Sequence, residues 1–388
     1  MRKTKFFAIF SLIAFALILA GCDRVQEVIG PEQPVQSEAV KIGFIGSGSR
    51  VTFPDGAAIA VAEINEMGGL LGRPVELVAQ TGIEDAAVAA ATAERMIRDD
   101  GVFALLGPNR STHAVEVGPV AQRYGVPMIT TTATNPSVTN AGDFVFMASA
   151  TDLVQGAVMA RFATKELGVT RAAVIAQQGD VYAEGLAEIF ADAIVKENGE
   201  IVPTEFYAAG TTDFTEQLTR IAAAAPDALF IAGFAEEVVL VTKQARTMEL
   251  QNTAGKPTVL LGSDAWDSQL LLESEEAQVE GSFFSAHFSP DSAQPTTQAF
   301  VKKYEALHGT VPVGGIAISY DCVKLLAAAV ERAGSFDAAA IRDEIAATKD
   351  YVGVTNIASY NENRHPSKSL VIMTVKDGMK VFYKQLNP

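Results

Sequence analysis

"LLGPNRSTHAVE", Leu105 to Glu116, is the stretch on which the reading of this chain turns. An apolar run stops at a Gly-Pro turn, and Ser111 and Thr112 then open a helical pattern. A second patch, "ITTTATNP" (Ile129 to Pro136), repeats the arrangement after the next apolar run. Hydroxyls are thus placed twice where a strand ends, with no nucleophile motif around either pair.

Working outward, the same alternation fills the chain. "VKIGFIG" predicts a strand, "PDGAAIAVAEINEMGGLLG" a helix with a Gly68-Gly69 stop, "PVELVAQ" a strand, "EDAAVAAATAERMIRD" a helix, "VFALLG" a strand, "STHAVEVGPVAQRYG" a helix, then "VPMIT" and "DFVFMA" as strands. From Asp152 a second series follows the same rule, through "RAAVIAQ", "IVPTEFY", "DALFIAG" and "PTVLLG" as strands with helices between them. Past "EGSFFSAHF" come two helices, "TTQAFVKKYEALHG" and "GGIAISYDCVKLLAAAVERAG", and a tail of strands, "VGVTNIASY", "SLVIMTV" and "KVFYKQ". Repeated β-α units imply parallel sheets covered by helices on both faces. The fold class is α/β, as two doubly wound Rossmann-like lobes with a cleft between them.

In such sheets a ligand sits beyond the carboxyl ends of the strands. Ser111 and Thr112 follow "VFALLG", and Thr132 and Thr134 follow "VPMIT". Asp180 and Tyr182 follow "RAAVIAQ", Phe234 follows "DALFIAG", and Asp264 and Trp266 follow "TVLLG". Hydroxyls beside the free amides of a helix N-terminus suit a carboxylate, and a carboxylate across the cleft suits an ammonium. Together they describe a clamp for a zwitterion. On position alone, helix capping accounts equally well for Ser111 and Thr112, and a turn for Asp264. Trp266, the only tryptophan, is expected in the pocket wall, where it would favour a larger side chain.

Composition and charge narrow the function. The 388 residues are 48% apolar and 20% charged, which suits a large globular body. Arg2, Lys3 and Lys5 precede the uncharged run Phe6 to Ala20, and "LAGC" closes it at Cys22, a secretory leader too short to span a bilayer comfortably. That ending resembles a lipobox, which implies diacylation of Cys22, and Asp23 resembles an inner-membrane retention signal. Residues 22–39 are polar with two prolines and suit a tether. Losing residues 1–21 moves the net charge from −16 to −19, which argues against nucleic-acid binding. With only Cys22 and Cys322, acylation leaves no disulfide; Cys322, in an apolar helical run, is expected to be a core thiol.

Enzyme motifs are absent: there is no G-x-S-x-G, H-E-x-x-H, Walker A or C-x-x-C, and "GSGSRV" lacks the third glycine of a dinucleotide fingerprint. His113, His287, His308 and His365 show no metal-ligand spacing, so neither cofactor nor metal is expected. Ser111, His113 and Asp264 make a hydrolase arrangement only on paper, and Arg110 reads as a solvated loop residue.

The lipobox, "VKIGFIG", "GAAIAVAEINEMGGLLGRPVELV", "VFALLGPNRSTHAVEVGPVAQRYGVPMITTTAT", "VYAEGLAEIF" and "DFTEQLTRIAAAAPDALFIAGF" resemble the periplasmic branched-chain amino-acid-binding (leucine-binding) proteins of ABC transporters, the type I periplasmic-binding fold. The resemblance implies an extracytoplasmic, lipid-anchored binding protein that hands a small amino acid or related carboxylate to membrane permease subunits. It implies a carboxylate held by Ser111 and Thr134, with Thr132 and Thr112 beside them, and an amine on Asp264, flanked by Tyr182 and Phe234. The family more often has Glu where Asp264 stands and Tyr where Phe234 stands. Its first loop is longer and carries an aromatic lid, for which Phe53 is the replacement here. Implied lobes are 40–150 plus 287–353 and 151–286 plus 354–388, joined by crossings near 148–152, 285–289 and 353–357. A ligand-sensing module for a signalling receptor and an envelope hydrolase using Ser111 are the alternatives.

Overall fold

A computed structural model describes residues 38–48, 53–274 and 277–386. The expected leader, tether and Cys22 lie outside them. The first sheet is wholly parallel in the order β2-β1-β3-β4-β5, built from β1 (Val40–Ser47), β2 (Val75–Ile83), β3 (Val102–Leu106), β4 (Met128–Thr130) and β5 (Val145–Met147). Helices α1 (Pro54–Glu66), α2 (Ala86–Arg95) and α3 (Ser111–Tyr124) connect these strands. One face carries Ile42, Phe44 and Leu106 against α1 and α10 (Gly314–Ala333), and the other carries Ile45, Leu105 and Met128 against α2 and α3. Burial on both faces is why these strands read as continuous apolar runs rather than alternating ones.

The second lobe begins with α4 (Asp152–Lys165) and continues through β6 (Arg171–Gln177), α5 (Val181–Lys196), β7 (Glu200–Tyr207), α6 (Thr215–Ala224), β8 (Ala228–Ala232), α7 (Ala235–Thr247), β9 (Val259–Gly262), α8 (Gln269–Glu273) and β10 (Phe283–Ala286). Its sheet runs β15-β14-β10-β9-β8-β6-β7, where β14 (Leu370–Lys376) and β15 (Met379–Leu386) are antiparallel additions at one edge. Between β10 and β14, α9 (Pro295–His308), α10 and α11 (Ala338–Ala346) return to the first lobe. Helix α11 was not expected from its alanine-rich sequence; Asp337 caps it by accepting from the amide of Ala340. Cys322 is buried in the first core, as expected.

One boundary needs correction. Residues 354–367 do not join the second lobe: β11 (Lys349–Tyr351), β12 (Ile357–Tyr360) and β13 (Pro366–Ser367) form their own small sheet against the first. Ile357 enters the first core, the Tyr360 hydroxyl donates to the Met147 carbonyl (2.9 Å), and Arg364 donates to the carbonyls of Val145 (3.2 Å) and Thr139 (2.8 Å). The third crossing therefore falls between β13 and β14, and the expected one at 353–357 is replaced by it. The apolar run there is buried by the first lobe, a choice of partner that strand periodicity does not encode.

The third crossing is pinned from inside. Buried Lys368 donates to the Ala148 carbonyl at the first crossing (2.9 Å) and to the Thr355 hydroxyl (2.7 Å), and that hydroxyl donates to Asp321 (2.7 Å). Asp321 also accepts the amides of Val354 and Thr355. Burial holds the Lys368 amine down to about 8, against the pull of Asp321. Removing one member of such a chain leaves the others uncompensated, so Lys368→Met is expected to cost about 3 kcal/mol in urea unfolding. Adding Asp321→Asn should recover part of that loss.

Candidate functional site

The strand ends of the two lobes enclose a cavity of about 500 Å³. The turn that delivers α3 to it depends on Gly107, whose φ of +82° and approach to the Ile45 carbonyl, 2.2 Å from where a Cβ would stand, admit no side chain. Asn109 then fastens the neighbouring strand end: it accepts the Ser47 amide (2.6 Å), donates to the Ser47 carbonyl (3.0 Å), and its own carbonyl accepts the Thr132 hydroxyl (3.1 Å). Ser47, Asn109, Ser111 and Thr132 all line the cavity.

Ser111 is the first residue of α3, not its cap. The capping position is Arg110, which makes no side-chain hydrogen bond to the helix. The first amides of α3 thus keep their helix-dipole charge toward the cavity. The Ser111 hydroxyl is held by the amides of Thr134 (3.2 Å) and Asn135 (3.1 Å). Neither ring nitrogen of His113 bonds it, so the hydrolase arrangement is not assembled. Helix α7 also opens at the cavity without a side-chain cap, behind Phe234.

The second lobe supplies the acid. Asp264, on a short helical turn after β9, accepts the Tyr182 hydroxyl on one oxygen (3.1 Å) and lies 3.2 Å from His287 Nε2 on the other. Tyr182 also bonds Ser263, and its ring lies 5.3 Å from that of Phe234. Burial, then the Asp264 charge, push the Tyr182 hydroxyl well above its ordinary value. Gln155 accepts the amide of Asp264 (3.2 Å) and the hydroxyl of Ser285 (2.8 Å), and donates to Asp152 (3.3 Å). Asp152 is fully buried there, and desolvation, then the Asp264 charge, raise its carboxyl well above the usual range.

Five of the expected residues therefore line one cavity: Ser111, Thr132, Tyr182, Phe234 and Asp264. Three do not. Thr112 ties the lobes together instead, donating to Asp180 (2.8 Å) and accepting the Val181 amide (3.1 Å), while Asn135 donates to the Val181 carbonyl (2.7 Å). Thr134 is fully buried behind Ser111, where its amide serves that hydroxyl and its carbonyl accepts the Asp152 amide (2.9 Å). Trp266 is fully buried in the second core, covering Gly262 and donating to the Ile231 carbonyl (3.3 Å). The helical turn that aims Asp264 at the cleft rotates the residue two places on toward the interior.

Wall residues missed or set aside include His287, Asn109 and Arg110. His287 and Asn109 sit at strand ends by the same rule that found the others, and Arg110 lies 4.2 Å over the Phe234 ring of the opposite lobe. Phe53 does line the cavity, packed on Gly315 at the start of α10. A further link across the cleft runs from Asp267, which meets Lys380, to the Gly314 amide (2.7 Å). Among the described residues no helix is long and apolar enough to cross a membrane, and no cluster of metal ligands is present.

Comparison with known proteins agrees with this fold. The family model described as periplasmic binding protein matches residues 41–380. The chain is 28% identical over 343 residues to the Leu/Ile/Val-binding protein BraC3 of Rhizobium johnstonii, covering 85% of this chain and 89% of that one. It superimposes on the leucine-binding protein LivK of Thermotoga maritima with a TM-score of 0.83 at 32% identity, covering 90% of this chain and 99% of that one. The branched-chain amino acid transporter substrate-binding protein LivJ of Streptococcus pneumoniae, solved with isoleucine, gives 0.82 at 28% identity, covering 90% and 100%. Trp266→Phe should lower stability by about 1–3 kcal/mol in urea unfolding and leave ligand affinity unchanged, since it removes a buried contact and not a wall.

Proposed function

This chain belongs to the periplasmic binding protein family, and we propose that it binds an α-amino acid between its lobes for uptake by a membrane permease. One observation carries the reading: Ser111 at the start of α3 and Asp264 in the facing lobe line the same cavity. The ligand's carboxylate lies against the free amides of α3 with Ser111 and Thr132 beside it, and the dipole there favours an anion. Its ammonium lies on Asp264. Phe53, Phe234, Leu270 and Val313, also in the wall, receive an apolar side chain. The isoleucine held by the related LivJ is of this kind.

Closure accompanies binding. Thr112 with Asp180, Asn135 with Val181, and Asp267 with Gly314 join elements on opposite sides of the cleft, so an open form must break them. The connecting strands are the hinge. Outside the described residues, "LAGC" supports lipidation of Cys22, which holds the body at the outer face of the cytoplasmic membrane. Cys22→Ser should release the protein from the membrane fraction into the soluble one.

A thermal-shift panel of the twenty L-amino acids tests the function, because a ligand bound only by the native state raises the melting temperature. Aliphatic amino acids should give the largest shifts. Ser111→Ala should weaken binding by about 1–3 kcal/mol and Asp264→Asn by at least as much, from loss of a charge-assisted bond. Equal shifts with the matching acids that lack an amine would overturn the role of Asp264.

A further inference from the structure

We infer that Gly185, outside the cavity, is a positioning residue for the ligand: having no side chain, it lets Asn135 of the first lobe seat on the start of α5, and this contact sets the distance between Ser111 and Asp264. The inference rests on the amino-acid reading above.

Gly185 lies in the early part of α5, with helical backbone and no positive φ. Nothing in that conformation calls for glycine, which costs a helix interior about 1 kcal/mol relative to alanine. The surroundings call for it instead. A Cβ there would stand 2.3 Å from Asn135 Nδ2, about 1 Å short of the 3.4 Å at which ordinary contact begins, and among the described residues it would meet no other side chain. Asn135 comes so close because its Nδ2 donates to the Val181 carbonyl (2.7 Å), the same carbonyl that the Gly185 amide faces in the helix. Nor is Asn135 free to swing aside, since its Oδ1 accepts the amide (2.9 Å) and the hydroxyl (2.7 Å) of Ser137.

The two partners of this contact adjoin the two halves of the clamp. On one side the Asn135 amide donates to the Ser111 hydroxyl (3.1 Å). On the other, Val181 precedes Tyr182, whose hydroxyl donates to Asp264 (3.1 Å). Thr112, next to Ser111, reinforces the seam by accepting the Val181 amide and donating to Asp180, which caps α5 through the amides of Tyr182 (3.1 Å) and Ala183 (2.9 Å). Bonded groups thus run without a break from the seat of the carboxylate to that of the ammonium. An α-amino acid carries those two charges on a single carbon, so the seam must close to a fixed spacing. A methyl at position 185 pushes α5 and Tyr182 away from Ser111 and leaves the ligand in reach of one half only.

The test takes the L-amino acid giving the largest thermal shift and measures its affinity by calorimetry in wild type, Gly185→Ala, Asn135→Ser and the double variant. Gly185→Ala should bind at least about tenfold more weakly. Without ligand it should melt no lower than wild type, because a parted seam leaves the methyl in open space. Asn135→Ser shortens the side chain that the methyl meets, so in that background Gly185→Ala should cost less than about threefold. Equal losses in the two backgrounds, unchanged affinity in Gly185→Ala, or a Gly185→Ala that fails to fold or melts lower without ligand would overturn the assignment while leaving amino-acid binding intact. No shift with any of the twenty would overturn both readings. Should the Asn135→Ser variants fail to fold, Gly185→Val takes their place: a greater loss of affinity than with alanine supports the role, and an equal or smaller one contradicts it.

Discussion

A carboxylate walled into the second lobe, Asp264, sets the terms for the cleft. Its side chain is 7% exposed, and among the described residues no lysine or arginine pairs with it. Its oxygens meet the Tyr182 phenol and the His287 imidazole. Across the cavity, α3 opens with amides that no side chain caps. Each lobe thus holds half of an incomplete electrostatic arrangement, and the halves are both short of cations or anions of their own. A zwitterion completes both at once, whereas a simple acid or amine completes one.

The scaffold makes this separation possible. Parallel strands with helices on both faces deliver helix starts and short turns to one edge, and two such edges face each other. Bonds across the cleft come mostly from residues beside the cavity, such as Thr112 and Asn135, so the bridging side chains and the cavity-lining ones are different members of the same loops. The crossings are knitted by Lys368, Thr355 and Asp321, which hold the hinge end of the first lobe together.

The fold was legible because Gly, Pro and Asp punctuate the apolar runs, and the Gly-Pro turn before Ser111 marked one edge of the cavity from sequence. The rule that ligands lie past strand ends chose the edge that borders the cavity, but it could not choose among neighbours on one turn. Thr132 faces the cavity and Thr134 the interior; Asp264 faces the cavity and Trp266 the core. A turn of irregular backbone fixes each outcome, and no periodicity records it. His287 carried the same positional signal as Asp264 and was passed over because it lacked a metal-like spacing. The last crossing was misplaced because the strand at Ile357 has an apolar pattern that either lobe could bury.

A crystal structure of the protein grown with the amino acid that stabilises it most tests the central claim directly. The account predicts density in the interlobe cavity with the carboxylate on the first amides of α3 beside Ser111 and the amine on Asp264. A ligand bound in the reverse sense, or outside that cavity, would contradict it.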